Sequence, residues 1–315
     1  MTNGRKNSIM TLIDLSEKED IALYFANCHN HSLFSDGVYT PEQLVALAKQ
    51  VGHRAIALTD HDTVRGNYFL NKAARRAGLL SLMGCEFTTV GFGKGFHLVG
   101  FDFNPEHAGM KLLLARVSNR QTVRSRLLFE WGLERGSLRP GVTWQEVLDF
   151  FPDNDYFCNN QVFDCMVAKG IYELMDYNDF FMNNFAAGKL GLNEVLEEAL
   201  QDPYPDVEEV VSLIRAAGGV PVIAHPHNRE KYVDDLLRIG VMGFETCHPD
   251  LTAEEFVYYD RLCEEKGLYK CGGTDHSGVL GGLMEKMPDE LHMAGPERGY
   301  MTEESFMKLY RRELG

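Results

Sequence analysis

The sequence predicts an α/β fold, a barrel of strand–helix units interrupted midway by a helical block. Short apolar runs at residues 21–25, 55–59, 79–83, 95–101, 220–224 and 269–273 have the length and bounding residues of buried strands. Stretches with helix-start signals separate most of them, which is the rhythm of parallel strands joined by crossover helices. Each run also carries, or is soon followed by, a histidine or a carboxylate. Polar groups at the ends of parallel strands are where α/β proteins build their sites.

Residues 1–20 are polar and mixed and read as a lead-in. The barrel is expected over 21–104 and 206–285. Thr40-Pro41-Glu42-Gln43 starts a helix, with Thr as the cap, Pro in the first turn and Gln three positions on. Gly52 ends it. From 105 to 205 the pattern turns helical, with Thr143-Trp144-Gln145-Glu146 opening one helix, and this block is expected to be an inserted subdomain or lid. Val207 to Ala217 is a helix before the 220–224 strand, and Thr252-Ala253-Glu254-Glu255 is another capping box. Residues 286–315 form a tail with a terminal helix from Thr302.

His29 and His31 are two apart, so on a strand they face one side and can grip one ion. Asp36, His61, Glu86, His97, His225 and Asp275-His276 extend the set along the chain. Any one of them alone reads as a satisfied polar group. Six segments carrying ligand-type residues together read as a metal site. Imidazole and carboxylate donors without thiolate suit Mn, Zn or Fe.

These residues fall in motifs. Asn27-Cys28-His29-Asn30-His31-Ser32 with Ser35-Asp36-Gly37, Leu58-Thr59-Asp60-His61-Asp62-Thr63, Gly84-Cys85-Glu86, Ala224-His225-Pro226 and Gly272-Gly273-Thr274-Asp275 follow in order. Together they resemble the PHP (polymerase and histidinol phosphatase) family. The resemblance implies a distorted (β/α)7 barrel holding two or three divalent metals. It implies that His29, His31, Glu86 and Asp275 hold one ion, and that Glu86, His97 and His225 hold a second. Asp36 and His61 would hold a third. The family completes that third site with a histidine two residues after the closing Asp, where this chain has Ser277. His276, one residue earlier, is the candidate to replace it. The family's G-R-P-H motif of the middle block is also missing, and Phe157-Cys158-Asn159-Asn160-Gln161 stands in its region.

The formal net charge of −15 disfavours long nucleic acid as an electrostatically captured partner. A small phosphorylated substrate remains compatible, because bound cations would make the cleft locally positive. No apolar run approaches a membrane span of ~20 residues, and no secretory signal pattern opens the chain. Seven cysteines without C-x-x-C spacing suggest reduced thiols and a cytoplasmic location. The sequence leaves the oligomeric state open.

The expected chemistry is hydrolysis of a small phosphate mono- or diester, a nucleotide or a phosphorylated metabolite, by a metal-bound hydroxide. Arg120 and Arg124, four apart on one helix face, are candidate phosphate contacts. Either pairing with helix carboxylates or solvent exposure explains them equally well. Asp62 could orient water or the His61 ring. His227 and His248 lie near strand ends and are candidates for substrate contact or proton donation. Two other classes remain open: a metal-dependent amidohydrolase acting at carbon, and a PHP module without turnover. The first would need a metal-bridging Lys at a strand end, and none is found. A nearly complete ligand set weighs against the second.

Overall fold

The computed structural model describes residues 25–275 and 301–314. Seven strands form one sheet in chain order, β1 (Ala26–Asn27), β2 (Ala55–Leu58), β3 (Leu80–Gly91), β4 (Lys94–Phe101), β5 (Val220–Ile223), β6 (Gly243–Cys247) and β7 (Tyr269–Gly272). The architecture is a nearly closed seven-stranded α/β barrel with helices inserted mid-chain. Small and apolar side chains fill its interior, among them Ala26, Cys28, Ala57, Val99, Val222 and Cys271. Burying side chains the size of Val or Leu contributes about 1.5–3 kcal/mol each.

The barrel departs from a uniform strand–helix alternation at one place. β3 pairs parallel with β2 through its first half and antiparallel with β4 through its second. β4 is also antiparallel to β5. No helix joins β3 to β4. Phe92 (φ 49°) and Gly93 (φ 73°) make a two-residue hairpin turn, and Lys94 opens the return strand. The two left-handed residues match the right-handed twist of the strands they join. β3 is therefore much longer than the expected 79–83, and β6, which ends beside His248, was expected only as a strand end there, without a range.

The helices follow their caps. Thr40 caps α1 (Pro41–Gln50) with a complete capping box. α2 (Arg65–Ala77) ends at Gly78 in the left-handed conformation. The middle block contains α3 (Ala108–Glu134), α4 (Trp144–Phe150), capped by Thr143, α5 (Asn159–Ala168), α6 (Tyr177–Asn184) and α7 (Asn193–Leu200). It has its own core, including Leu128, Phe129, Phe163, Met166, Phe180 and Leu196. Asp206 then caps α8 (Val207–Ala216) and the barrel resumes. α9 (Val233–Arg238), α10 (Ala253–Lys266), capped by Thr252, and α11 (Glu303–Tyr310), capped by Thr302, complete the described elements.

The expected lead-in at 1–20 and most of the expected strand at 21–25 lie outside the described residues. All seven cysteines are free, and six are buried. Among the described residues, no helix is long and apolar enough to cross a membrane.

Candidate metal centre

Glu86 sits in the interior of β3, not at its end as the sequence suggested, and its side chain is wholly buried. Five imidazoles surround it. His97 Nδ1 and His225 Nε2 lie 2.9 and 3.0 Å from Oε1. His61 Nδ1, His29 Nε2 and His31 Nε2 lie 3.1, 3.2 and 3.3 Å from Oε2. Yet among the described residues Glu86 Oε2, His29 Nε2 and His61 Nδ1 are buried without a hydrogen-bond partner. The atoms are close, but their angles do not suit bonds to one another. They converge on shared space, as ligands around a cation do. Leaving them unpaired would cost about 1–3 kcal/mol each, so the donor set fits divalent metals.

The loops place these groups by close backbone contact. His29 and His31 follow the end of β1 and do not lie on a strand, so strand alternation is not what brings them together. A Cβ on Gly273 would come within 2.1 Å of His29 N, and one on Gly37 within 2.1 Å of His31 O. Both glycines are required by that approach. Buried Asp60 accepts from Ser32 N (2.6 Å), Ser32 Oγ (2.7 Å) and Ser35 Oγ (2.7 Å), and so fixes the loop between His31 and Asp36. His225 (φ 25°) and Asp275 (φ 46°) occupy left-handed backbone just beyond β5 and β7. Strain of this kind, of order 1–3 kcal/mol, persists where the surroundings over-determine it, commonly at functional sites.

Among the described residues, four groupings could each hold an ion: His29, His31, Glu86 and Asp275; His61, Glu86 and His97; His31, Asp36 and His61; and His29, Glu245 and His248. The first is the set that the motifs implied. The second places His61 where the motifs put His225, although His225 Nε2 is only 3.1 Å from His97 Nδ1. The third unites Asp36 and His61 through His31. His276 lies outside the described residues.

Glu245, on β6, was missed. It accepts from His29 Nδ1 at 2.7 Å and from His225 N at 2.6 Å. Its signal in the sequence was a lone carboxylate inside the apolar stretch from Val241 to Cys247. Burial alone would lower the pKa of His29, but Glu245, Asp275 and Glu86 reverse that and hold it well above the usual value. Burial would raise the Glu86 carboxyl, and the surrounding imidazoles instead hold it well below.

The other candidates fall in different places. His248 is buried, with Nε2 3.2 Å from Asp275 Oδ2, and Asp250 N donates to its Nδ1 at 3.1 Å. His227 is half exposed. Glu255 lies 2.9 Å from its Nδ1, and Asn228 engages its Nε2. Asp62 accepts from Thr88 N at 2.9 Å, which ties the His61 loop to β3. Burial pushes its carboxyl up to about 7 against that bond. Arg120 is spent within the inserted block: it donates to the Asp202 carbonyl at 2.6 Å, pairs with Glu197 and stacks 3.5 Å over the Tyr204 ring. Arg124 is partly buried and makes no hydrogen bond or ion pair among the described residues.

The inserted block reaches back to the centre. Asn154 Nδ2 donates to Leu33 O (2.8 Å), and Asn160 Nδ2 to Asp36 O (3.0 Å). Gln161 donates to the Ser35 carbonyl. The segment that stands in for the missing motif thus lies directly over the loop carrying Asp36.

Residues 27–155 match the PHP domain family model. The chain is 30% identical over 238 residues to the 5′-3′ exoribonuclease Rnm of Salmonella typhimurium, covering 75% of this chain and 76% of that protein. It is 25% identical over 259 residues to the phosphoribosyl 1,2-cyclic phosphate 1,2-diphosphodiesterase of Eggerthella lenta, covering 80% and 94%. A crystal structure from Bifidobacterium adolescentis superposes with a TM-score of 0.68 at 23% identity, over 92% of this chain and 96% of that one. That likeness speaks for the fold alone.

Proposed function

This chain belongs to the PHP-domain family of phosphoesterases, and from that premise we propose that it hydrolyses a small phosphate mono- or diester with two or three divalent metals in its site. The observation that carries this is the convergence of five imidazoles on the buried Glu86 carboxylate, with three of the facing atoms unpaired. Bound divalent cations would neutralise charge on the phosphate oxygens and make an attacking water more acidic.

The chain's own residues do the rest. His29, His31, Glu86 and Asp275 hold one position, and Glu86 is shared with the neighbouring position that His61, His97 and His225 border. Glu245 fixes the His29 tautomer: Nδ1 donates to the carboxylate, which leaves Nε2 bare toward the centre. His248 has the opposite tautomer. Its Nδ1 accepts from Asp250 N, so the neutral ring carries its proton on Nε2, beside Asp275. That proton faces the centre, and we assign His248 as the donor to the leaving oxygen. His227 has both ring nitrogens engaged and contributes to the rim. Asp62 acts through Thr88 and the backbone, as a positioning residue.

The likeness to an exoribonuclease favours a second form of the same chemistry, cleavage of a diester at the end of a short RNA. A panel of phosphate monoesters, cyclic diesters and short 5′-phosphorylated oligoribonucleotides, assayed with added Mn²⁺, separates these. Release of inorganic phosphate or of mononucleotides supports the proposal. Amide hydrolysis without phosphate ester cleavage would overturn it.

A further inference from the structure

The turn that carries Asp36 is held in place by side chains of the inserted block. Within the turn, Ser35 N and Gly37 N both donate to Ser32 O, at 3.0 and 2.9 Å. The carbonyls of Leu33, Ser35 and Asp36 accept from no backbone N–H among the described residues. Backbone carbonyls shielded from water need partners, and all three find them on the segment 154–161. Leu33 O accepts from Asn154 Nδ2 (2.8 Å) and Gln161 Nε2 (3.2 Å). Ser35 O accepts from Gln161 Nε2 and, more weakly, from Cys158 Sγ at 3.7 Å. Asp36 O accepts from Asn160 Nδ2 at 3.0 Å.

The two amides that do this are themselves fixed. Gln161 Oε1 accepts from Cys158 N at 2.8 Å at the start of α5, while its Nε2 reaches the barrel. Asn160 Oδ1 accepts from Asn159 Nδ2 (2.6 Å) and Tyr177 Oη (3.2 Å). Both residues are buried, and the next two, Val162 and Phe163, belong to the core of the inserted block. The turn therefore takes its position from that core.

What the turn presents is the Asp36 carboxylate. Its Oδ1 lies 3.4 Å from His31 Nδ1 and its Oδ2 3.8 Å from His61 Nε2, and those two rings stack with centroids 4.5 Å apart. Asp36 is the one carboxylate in the grouping with His31 and His61, and it is absent from both groupings that contain Glu86. A position with one carboxylate and two imidazoles loses its only negative donor if that carboxylate swings away. The chain also has Ser277 where the family completes this position with a histidine.

We propose that Asn160 and Gln161 are positioning residues for the ion between His31, Asp36 and His61. By clamping the carbonyls of residues 33–36 they aim Asp36, and the inserted block thereby sets how tightly that ion is held. The inference rests on the metal-centre reading and goes beyond it, because it makes loading of one ion a property of the inserted block.

The test is Mn²⁺ binding to chelator-stripped protein, followed by titration calorimetry and elemental analysis, with the unfolding midpoint measured alongside. Gln161→Met keeps the volume and removes both amide groups. Gln161→His keeps a ring N–H donor. Asn154→Ala removes one bond to Leu33 O at a partly exposed position, so it carries the test if Gln161→Met does not fold. Asp36→Ala, alone and combined with Gln161→Met, identifies the ion concerned. In Gln161→Met that same ion is expected to bind about tenfold or more weaker, the usual effect of losing a group behind a ligand, while the other ions keep their affinity. Gln161→His recovers most of the loss, and Asn154→Ala shows a smaller one of about threefold. In the Asp36→Ala background Gln161→Met changes metal binding no further, as a residue acting through Asp36 requires. A lowered unfolding midpoint with every ion bound as in the natural protein would overturn the inference and leave the metal centre standing. Equal weakening of all ions, or a further loss in the Asp36→Ala background, would overturn it as well. A natural protein that binds no Mn²⁺ would sink the metal-centre reading and the inference with it.

Discussion

Glu245 accepts the Nδ1 proton of His29 across 2.7 Å, and both side chains are wholly buried. The pair spans 216 residues of sequence and joins β6 to the loop after β1. It sets which nitrogen His29 turns toward Glu86.

Glu245→Gln should therefore weaken metal binding at the position of His29, His31, Glu86 and Asp275, where Glu245 is not itself a member. Loss of a carboxylate behind a metal-bound histidine typically costs 10–100-fold in affinity. Chelator competition on the purified variant checks this. Unchanged affinity would mean that Glu245 serves only the barrel's packing.

Glu86→Ala should lose more than His61→Ala. Both lie in two of the candidate groupings, but Glu86 faces five imidazoles through its two oxygens and carries the negative charge among them. Elemental analysis and kcat/KM for both variants decide it. Equal metal loss, or a larger effect at His61, would contradict the sharing of Glu86.

The cluster around Glu86 was partly legible in the sequence because its members sit beside glycines and apolar runs. His29, His31, His61, Glu86, His97, His225 and Asp275 announce themselves by motif, and the structure brings all seven together. Thr40 and Thr252 were legible because a capping box is local. Glu245 was not, since a single carboxylate inside a strand has no periodic signature. The pairing of Arg120 with Glu197 and the closure of Asn160 and Gln161 over residues 33–36 are long-range contacts, which spacing does not encode.

Arg120→Ala tests whether that guanidinium serves the fold or the substrate. Its bonds to Asp202 O and Glu197 and its stacking on Tyr204 predict a loss of about 1–3 kcal/mol in stability. KM for a phosphate ester should stay within twofold. A large rise in KM with unchanged unfolding midpoint would return Arg120 to the substrate site.

Glu255 makes stability depend on pH. Burial pushes its carboxyl up, but the N–H groups of Thr252 and Asn228 and the His227 ring outweigh that and bring it down to about 2. Its folded pKa is thus below its unfolded one. The stabilisation is complete above pH ~4.5 and is lost as pH falls toward 2. Urea unfolding between pH 6 and 2.5 should show a shallower acid slope in Glu255→Gln than in the natural protein. Identical slopes would remove Glu255 from the account.

Reconstitution decides whether the groups around Glu86 are a working metal centre for phosphate ester hydrolysis. Protein stripped with chelator is titrated with Mn²⁺ while phosphate release and bound metal are followed together. The expected result is no turnover in the stripped protein and activity that rises with occupancy to a plateau at two or three ions per chain. Full turnover by protein shown to be metal-free would contradict it.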